Sequence, residues 1–229
     1  SIKKNLEKIS KAKNLNLNIN LKLLDEVTNI VEKPKVILCS FDKKFLEIPR
    51  EVIQLTIEYH QKFFPISDKK KNLLNYFFSV IDKADKFGVL KKGNESVVDA
   101  RLSDAEYFWK KNKSQSMLKY VSKLENVNYF NGLGNYLDKT KRIKNLSSII
   151  SDELLISNEK LELESTIAQV DLLFDLVNEF PEMQGVLGGY FAESQGFEKE
   201  VCLAISEHYL PSGLNSRTPK NNYSIALSL

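Results

Sequence analysis

The chain has 229 residues, 42% of them hydrophobic, enough for one large core or two ordinary ones in a soluble globular protein. Lys plus Arg total 33 against 30 Asp plus Glu, so the net charge of +3 excludes a globally basic nucleic-acid binder and leaves any basic surface to local clustering. Cys39 and Cys202 stand far apart and outside metal-ligand spacing, which excludes a disulfide framework and a zinc motif, and no stretch approaches the roughly 18 apolar residues of a membrane span.

The opening SIKKNLEKISKAKNLNLNIN, rich in Lys, Asn and Ile, reads as coding bias and solvated surface rather than as a binding tail. Asn14 to Asn20 alternates polar and apolar residues and predicts a half-buried strand; Leu21 to Val31 turns helical and Pro34 breaks that helix. VILCSF, from Val36 to Phe41, is a short apolar run. Pro49 with EVIQLTIEYHQ after it suits a helix whose first turn carries the proline. KFFPI and LLNYFFSVI, separated by SDKKKN, predict a hairpin. From Gly93 to Lys110 the period is helical, with Val98, Leu102, Ala105 and Trp109 on one stripe.

KKNKSQSM and NVNYFNGLGN then mark a boundary, after which everything reads helical. Ile143, Leu146 and Ile150 form one stripe, and Leu163, Ile167, Val170, Phe174 and Val177 form a longer one that Phe180 and Pro181 end. The expected fold class is α+β in the first part, followed by an all-α domain. The expected division is an α+β domain over 1–112, incomplete at its N-terminus, a linker over 113–130, and a helical domain over 131–229, truncated at its C-terminus. Both ends read as cut, because the first residue is Ser and NNYSIALSL stops inside a helix-like pattern.

Candidate chemistry is sparse. Asp171, Asp175 and Glu179 stand at i, i+4 and i+8, a carboxylate stripe that suits either a divalent cation or a solvated helix face. His60 and His208 are the two histidines, and neither has a neighbouring nucleophile or acid in a catalytic arrangement, so no catalytic residue is assigned. The glycines make no phosphate-binding loop: GLGN lacks the Lys-Ser/Thr pair, and GVLGG follows a helix. Two basic clusters, His60 with Lys62 beside Phe63 and Phe64, and Lys91 with Lys92 leading to Arg101, are candidates for RNA contact; the competing reading puts the aromatics in a core and Arg101 in a pair with Asp104.

Six strings carry a family likeness. LLDEVTNIVE, SFDKKFLEIPREVI, HQKFFPISD, GNESVVDARLSDAEYFW, EFPEMQGVLGGYFA and AISEHYLP stand in an order and at spacings that resemble the β subunit of the bacterial heterotetrameric glycyl-tRNA synthetase, over nearly the whole chain. The resemblance implies an internal piece of a cytoplasmic ligase subunit, inactive by itself. It also implies a partner alpha subunit that uses ATP and Mg to form glycyl-adenylate, tRNA(Gly) as substrate, and a full-length heterotetramer of two alpha and two beta chains. No cofactor or metal is assigned to this chain. The first part is similar to the editing-type domain of phenylalanyl-tRNA synthetase β chains.

The second part resembles an HD-domain phosphohydrolase with its metal site degenerate. Asp171 matches the Asp of the His-Asp pair, but Val170 stands at its partner position, Thr140 and Lys141 stand near the early His position, and His208 is followed by Tyr209 rather than a second His. Hydrocarbon and hydroxyl side chains cannot replace imidazole ligands. The alternatives are a divergent HD-type metal phosphohydrolase and a purely structural module that holds the alpha subunit.

Overall fold

A computed structural model describes the backbone of residues 1–229 and every side chain except that of residue 148. It divides into two units, Ser1–Tyr107 and Phe108–Leu229.

The first unit is α+β, as expected. Helices α1 (Ile2–Ala12) and α2 (Leu21–Ile30) precede strand β1 (Lys35–Ser40), helix α3 (Arg50–Leu55) and strands β2 (Phe64–Ser67) and β3 (Leu73–Ile81). The strands form an antiparallel sheet in the order β1-β3-β2. The expected hairpin is β2 and β3, and Pro65, which cannot donate to a ladder, lies on an edge strand at a register shift.

Strand alternation sends side chains to two faces. Phe64, Ile66 and Phe78 pack with Ile2, Leu6, Leu23 and Val27 of α1 and α2. Phe77 takes the other face, where Phe63 stacks on it with ring centroids 5.1 Å apart. Helix α4 (Val89–Lys113) begins where the Asp85 carboxylate accepts the N–H groups of Leu90 and Lys91, at 3.2 and 2.9 Å. Its stripe buries Val98, Leu102 and Ala105, while Asn94 donates to Ser79 Oγ at 2.8 Å and Glu95 accepts from Ser40 N–H and Oγ at 2.8 and 3.0 Å.

Two expectations in this unit are corrected. The opening is not merely solvated surface: Ile2, Leu6 and Ile9, at helical spacing, turn α1 onto the sheet. The strand expected over Asn14–Asn20 is reduced to a single bridge between Asn16 and Ser67. Asparagine chemistry explains the loss, because Asn14 takes a left-handed φ of 53° and the Asn20 side chain caps α2 by accepting from Lys22 and Leu23 N–H.

The second unit is mainly helical. It contains α5 (Met117–Tyr120), a two-stranded hairpin of β4 (Asn128–Phe130) and β5 (Gly134–Asn135), and then α6 (Tyr136–Leu154), α7 (Asn158–Ile167), α8 (Asp175–Glu179), α9 (Val186–Ser194), α10 (Lys199–Glu207) and α11 (Asn222–Ser228). The stretch read as a linker is packed structure. Met117 and Leu124 are fully buried, and Gln195 accepts from Met117 N–H at 3.0 Å and donates to the Gln115 carbonyl at 2.8 Å. Composition registers the polar residues there but not these two anchors.

The apolar stripe expected on α6 is also corrected. Leu146 is exposed, and the helix buries Thr140, Ser147 and Ser151 instead. Ser147 Oγ meets Ser165 Oγ of α7 at 2.5 Å and donates to its own helix at the Ile143 carbonyl when Ser165 supplies the shared proton, so the small hydroxyls let two backbones approach where leucines would hold them apart. Close packing recurs between α9 and α10, where a Cβ on Gly189 would stand 2.7 Å from the Cys202 carbonyl oxygen.

Candidate functional site

The long helix expected through Val170 is broken in three: α7, a 3-10 turn over Val170–Leu173, and α8. Phe174 is extended between the last two, with ψ of 135°. Ile167, Val170, Phe174 and Val177 are still buried, so the apolar spacing held while the helix did not. Tertiary partners decide this. The buried Asn112 side chain accepts from Leu176 N–H at 2.9 Å and donates to Asp175 at 3.2 Å, and Lys111 pairs with Asp175 at 2.9 Å. The ammonium of Lys111 holds the Asp175 carboxyl below its ordinary range. The carboxylate stripe therefore does not exist: Asp175 opens α8, Glu179 is exposed, and Asp171 is turned inward.

Asp171 is fully buried. Its Oδ2 accepts the Gly185 N–H at 2.7 Å, and its Oδ1 meets no hydrogen-bond partner. Burial pushes the carboxyl up to about 7, opposed by the N–H groups of Gly185 and Gly188. Gly185 has a φ of 79°, open to glycine, and a Cβ on Gly188 would stand 3.0 Å from Oδ2. Two glycines of GVLGG thus make room for this carboxyl.

His208 adjoins the same turn, since a Cβ on Gly185 would lie 3.3 Å from its ring. Its Nδ1–H donates to the Ile205 carbonyl at 2.6 Å, and its Nε2 accepts from the Gln169 amide at 3.1 Å. Burial pushes the imidazole down to about 4, so it is neutral near pH 7, with both ring nitrogens engaged by the protein. Tyr209 donates its hydroxyl proton to Gln169 Oε1 at 3.0 Å and accepts from the Gln184 amide. Val170 and Thr140, at the positions where the HD resemblance needs imidazoles, are buried, and Thr140 Oγ1 has no hydrogen-bond partner. Among the described residues no three His, Cys, Asp or Glu side chains gather into a cation-binding set.

The Gln169–His208–Tyr209–Gln184 network was not legible in the sequence, because its members lie up to 40 residues apart. The only signal was the string SEHYLP, with a tyrosine where a ligand would stand. Burial raises the Tyr209 hydroxyl above its ordinary range, with Asp171, Tyr136 of α6 and Tyr129 of β4 adding to the effect, and Lys139 of α6 adds to the effect of burial on His208.

The candidates for tRNA contact lie in the first unit. Helix α3 continues into a wider π turn over Thr56–His60, where the His60 ring lies against Tyr59 at 5.8 Å. Lys62 pairs with Glu26 at 2.8 Å and lies over the Tyr59 ring at 5.0 Å, while Phe64 is buried. Lys91 stands 3.8 Å from Glu95. Lys92 and Arg101 are exposed, but the nine-residue step along α4 between them turns about half a circle, so these two face opposite ways, whereas Lys91 stands about 80° from Arg101 around the axis.

The family model for the glycyl-tRNA synthetase beta subunit matches residues 1–229. The glycine–tRNA ligase beta subunit of Thermodesulfovibrio yellowstonii is 35% identical over 97% of this chain and 33% of its own length. That of Rickettsia typhi is 38% identical over 96% and 33%, and that of Gloeothece citriformis 37% over 96% and 32%. The chain spans about a third of the length of the curated relatives it matches. With the match running from the first residue to the last, the chain belongs to the glycyl-tRNA synthetase beta subunit family.

Proposed function

We propose that this chain is a non-adenylating part of a glycine–tRNA ligase, supporting tRNA binding and assembly with an alpha subunit so that glycine is joined to tRNA(Gly). On this reading ATP and Mg belong to the alpha subunit, the full-length assembly is a cytoplasmic heterotetramer of two alpha and two beta chains, and the present chain alone is inactive. The first unit is taken as an editing-type domain and the second as an HD-like domain.

The observation that supports a binding rather than a hydrolytic role is the fate of Asp171 and His208. A metal phosphohydrolase needs carboxylate and imidazole lone pairs converging on an ion. Here Asp171 Oδ2 is spent on Gly185 N–H, His208 spends Nδ1–H on a carbonyl and the Nε2 lone pair on an amide, and Val170 fills the neighbouring position with hydrocarbon. What the residues do is hold the α9–α10 region together from within.

The reading is tested in the full-length beta chain assembled with its alpha subunit. Replacing Lys91, Lys92 and Arg101 together by Ala should weaken tRNA binding and flatten its salt dependence, because each phosphate left without its cation takes about one unit from the slope. Glycyl-adenylate formation without tRNA should be largely spared. Collapse of adenylate formation instead favours the structural module, and phosphatase activity that is lost on Asp171→Ala favours the HD-type enzyme.

A further inference from the structure

We infer that the β4–β5 hairpin together with Lys139 and Arg142 is a stacking platform for an unpaired segment of tRNA. The inference rests on the tRNA-binding reading above and locates a contact surface in the second unit, in addition to the basic clusters of the first.

The hairpin is built to hold aromatics outward. Leu133 N–H donates to the Phe130 carbonyl at 3.0 Å across a turn in which Gly132 has a φ of 80°. Gly134 is favoured by its φ of 81°, and a Cβ there would crowd the Asp138 carboxylate. That carboxylate is committed: Oδ2 accepts Asn135 N–H at 3.2 Å in a capping box, and Oδ1 lies 3.7 Å from Lys141. The nearby negative charge is thus occupied within the first turn of α6.

What remains outward is aromatic, amide and cationic. Phe130 is 67% exposed and Leu133 50%, although a two-stranded hairpin has no folding need to present either to water. Tyr129 and Tyr136 meet edge to face at 5.3 Å, with the Lys139 ammonium 4.8 and 5.4 Å from their centroids. Arg142 is exposed and forms no ion pair among the described residues; burial, with this guanidinium nearby, draws the Lys139 ammonium down from its ordinary range. Asn128, Asn131 and Asn135 join Tyr129 and Phe130 around a concavity of about 650 Å³.

Flat rings, amide donors and acceptors, and two cations within one helical turn match the three chemistries of a single-stranded nucleotide: base faces, base edges and phosphates. A hydrophobic protein partner would use the rings but not the cations, and an RNA duplex would use the cations but not the rings.

The test titrates the 229-residue chain with labelled tRNA(Gly) transcript at three salt concentrations, beside a blunt RNA duplex of similar length. The expected result is preference for tRNA over duplex, a loss of about fivefold or more in tRNA affinity for Tyr129→Ala with Phe130→Ala at unchanged salt slope, and a slope lower by about one to two units for Lys139→Gln with Arg142→Gln. Phe130→Tyr should retain wild-type affinity, and Trp109 fluorescence checks that each variant is folded. Variants that bind tRNA like wild type overturn the inference and leave the tRNA reading standing. Failure of the wild-type chain to bind tRNA sinks the reading and the inference together. Loss of capture by purified alpha subunit, with RNA affinity unchanged, makes the hairpin a protein-docking element and overturns it as well.

Discussion

In residues 1–107 the interior is hydrocarbon: Leu6, Phe64, Ile66, Phe77, Phe78, Val98 and Leu102 are fully buried, and the buried polar groups are the small Ser10, Thr56 and Ser79. Residues 108–229 bury Asn112, Glu164, Gln169, Asp171, Glu207 and His208 as well as apolar side chains. The first interior works by area removed from water, which is insensitive to pH. The second depends on partners being in place, and its titratable groups make its stability a function of pH. Glu207 shows the better-partnered case: its Oε2 accepts Lys220 N–H at 3.0 Å, and its Oε1, without hydrogen-bond geometry, lies 3.0 Å from the Arg217 guanidinium as an ion pair. Glu164 shows the opposite, with both oxygens buried and neither hydrogen-bonded.

The largest expected effect tests the hydrocarbon side. Phe78→Ala should cost about 3–5 kcal/mol, the usual range for a buried Phe in a tight core, and by the same amount at pH 5 and pH 8. Hydrogen exchange at β2 and β3 amides measures it; a cost that varies with pH would break the contrast. In the second unit, Gly189→Val should cost about 3 kcal/mol by forcing α9 away from the Cys202 carbonyl and the Ser206 Cβ, now 2.7 and 2.8 Å from where a Cβ would stand. Trp109, the only tryptophan, packs on Phe191 of α9 with ring centroids 5.2 Å apart, so its fluorescence during urea unfolding reports that loss.

A smaller effect of opposite sign sharpens the comparison. Burial and the nearby Glu200 push the Glu164 carboxyl from 4.5 up to about 8. The unfolded chain therefore ionises first, and folded stability falls as pH rises through that window. Glu164→Gln should be near neutral below pH 4.5 and stabilise by about 1–3 kcal/mol at pH 8 and above. Urea midpoints that shift equally at pH 4.5 and 8.5 would contradict it.

His208 acts on the acid side. Its imidazole is lowered from 6.5 to about 4, so the stability of the neutral ring is complete above about pH 6.5 and disappears as pH falls towards 4. In His208→Gln that part of the pH profile should flatten. The smallest effect returns to the first unit: Lys62→Met removes a pair whose side chains are 39% and 38% exposed and should leave the urea midpoint unmoved, since water already screens both charges.

The strings that carry the family likeness, the aromatic and β-branched runs of β2 and β3, and the stripe of Val98, Leu102 and Ala105 were all legible in the amino-acid order, because each is a local pattern whose burial needs only an apolar partner. The same order held the signal of α1 in Ile2, Leu6 and Ile9, masked by the lysines between them. The break between α7 and α8, the serine face of α6 and the inward turn of Asp171 had no such signature. Each depends on a group brought from elsewhere: Asn112 for Leu176 N–H, Ser165 for Ser147, Gly185 for Asp171. Hydrophobic spacing declares itself within a few turns because it asks only for exclusion of water. A buried polar group asks for one particular donor or acceptor, and in this chain those partners stand 14 to 64 residues away, where only the tertiary structure sets their distance and direction.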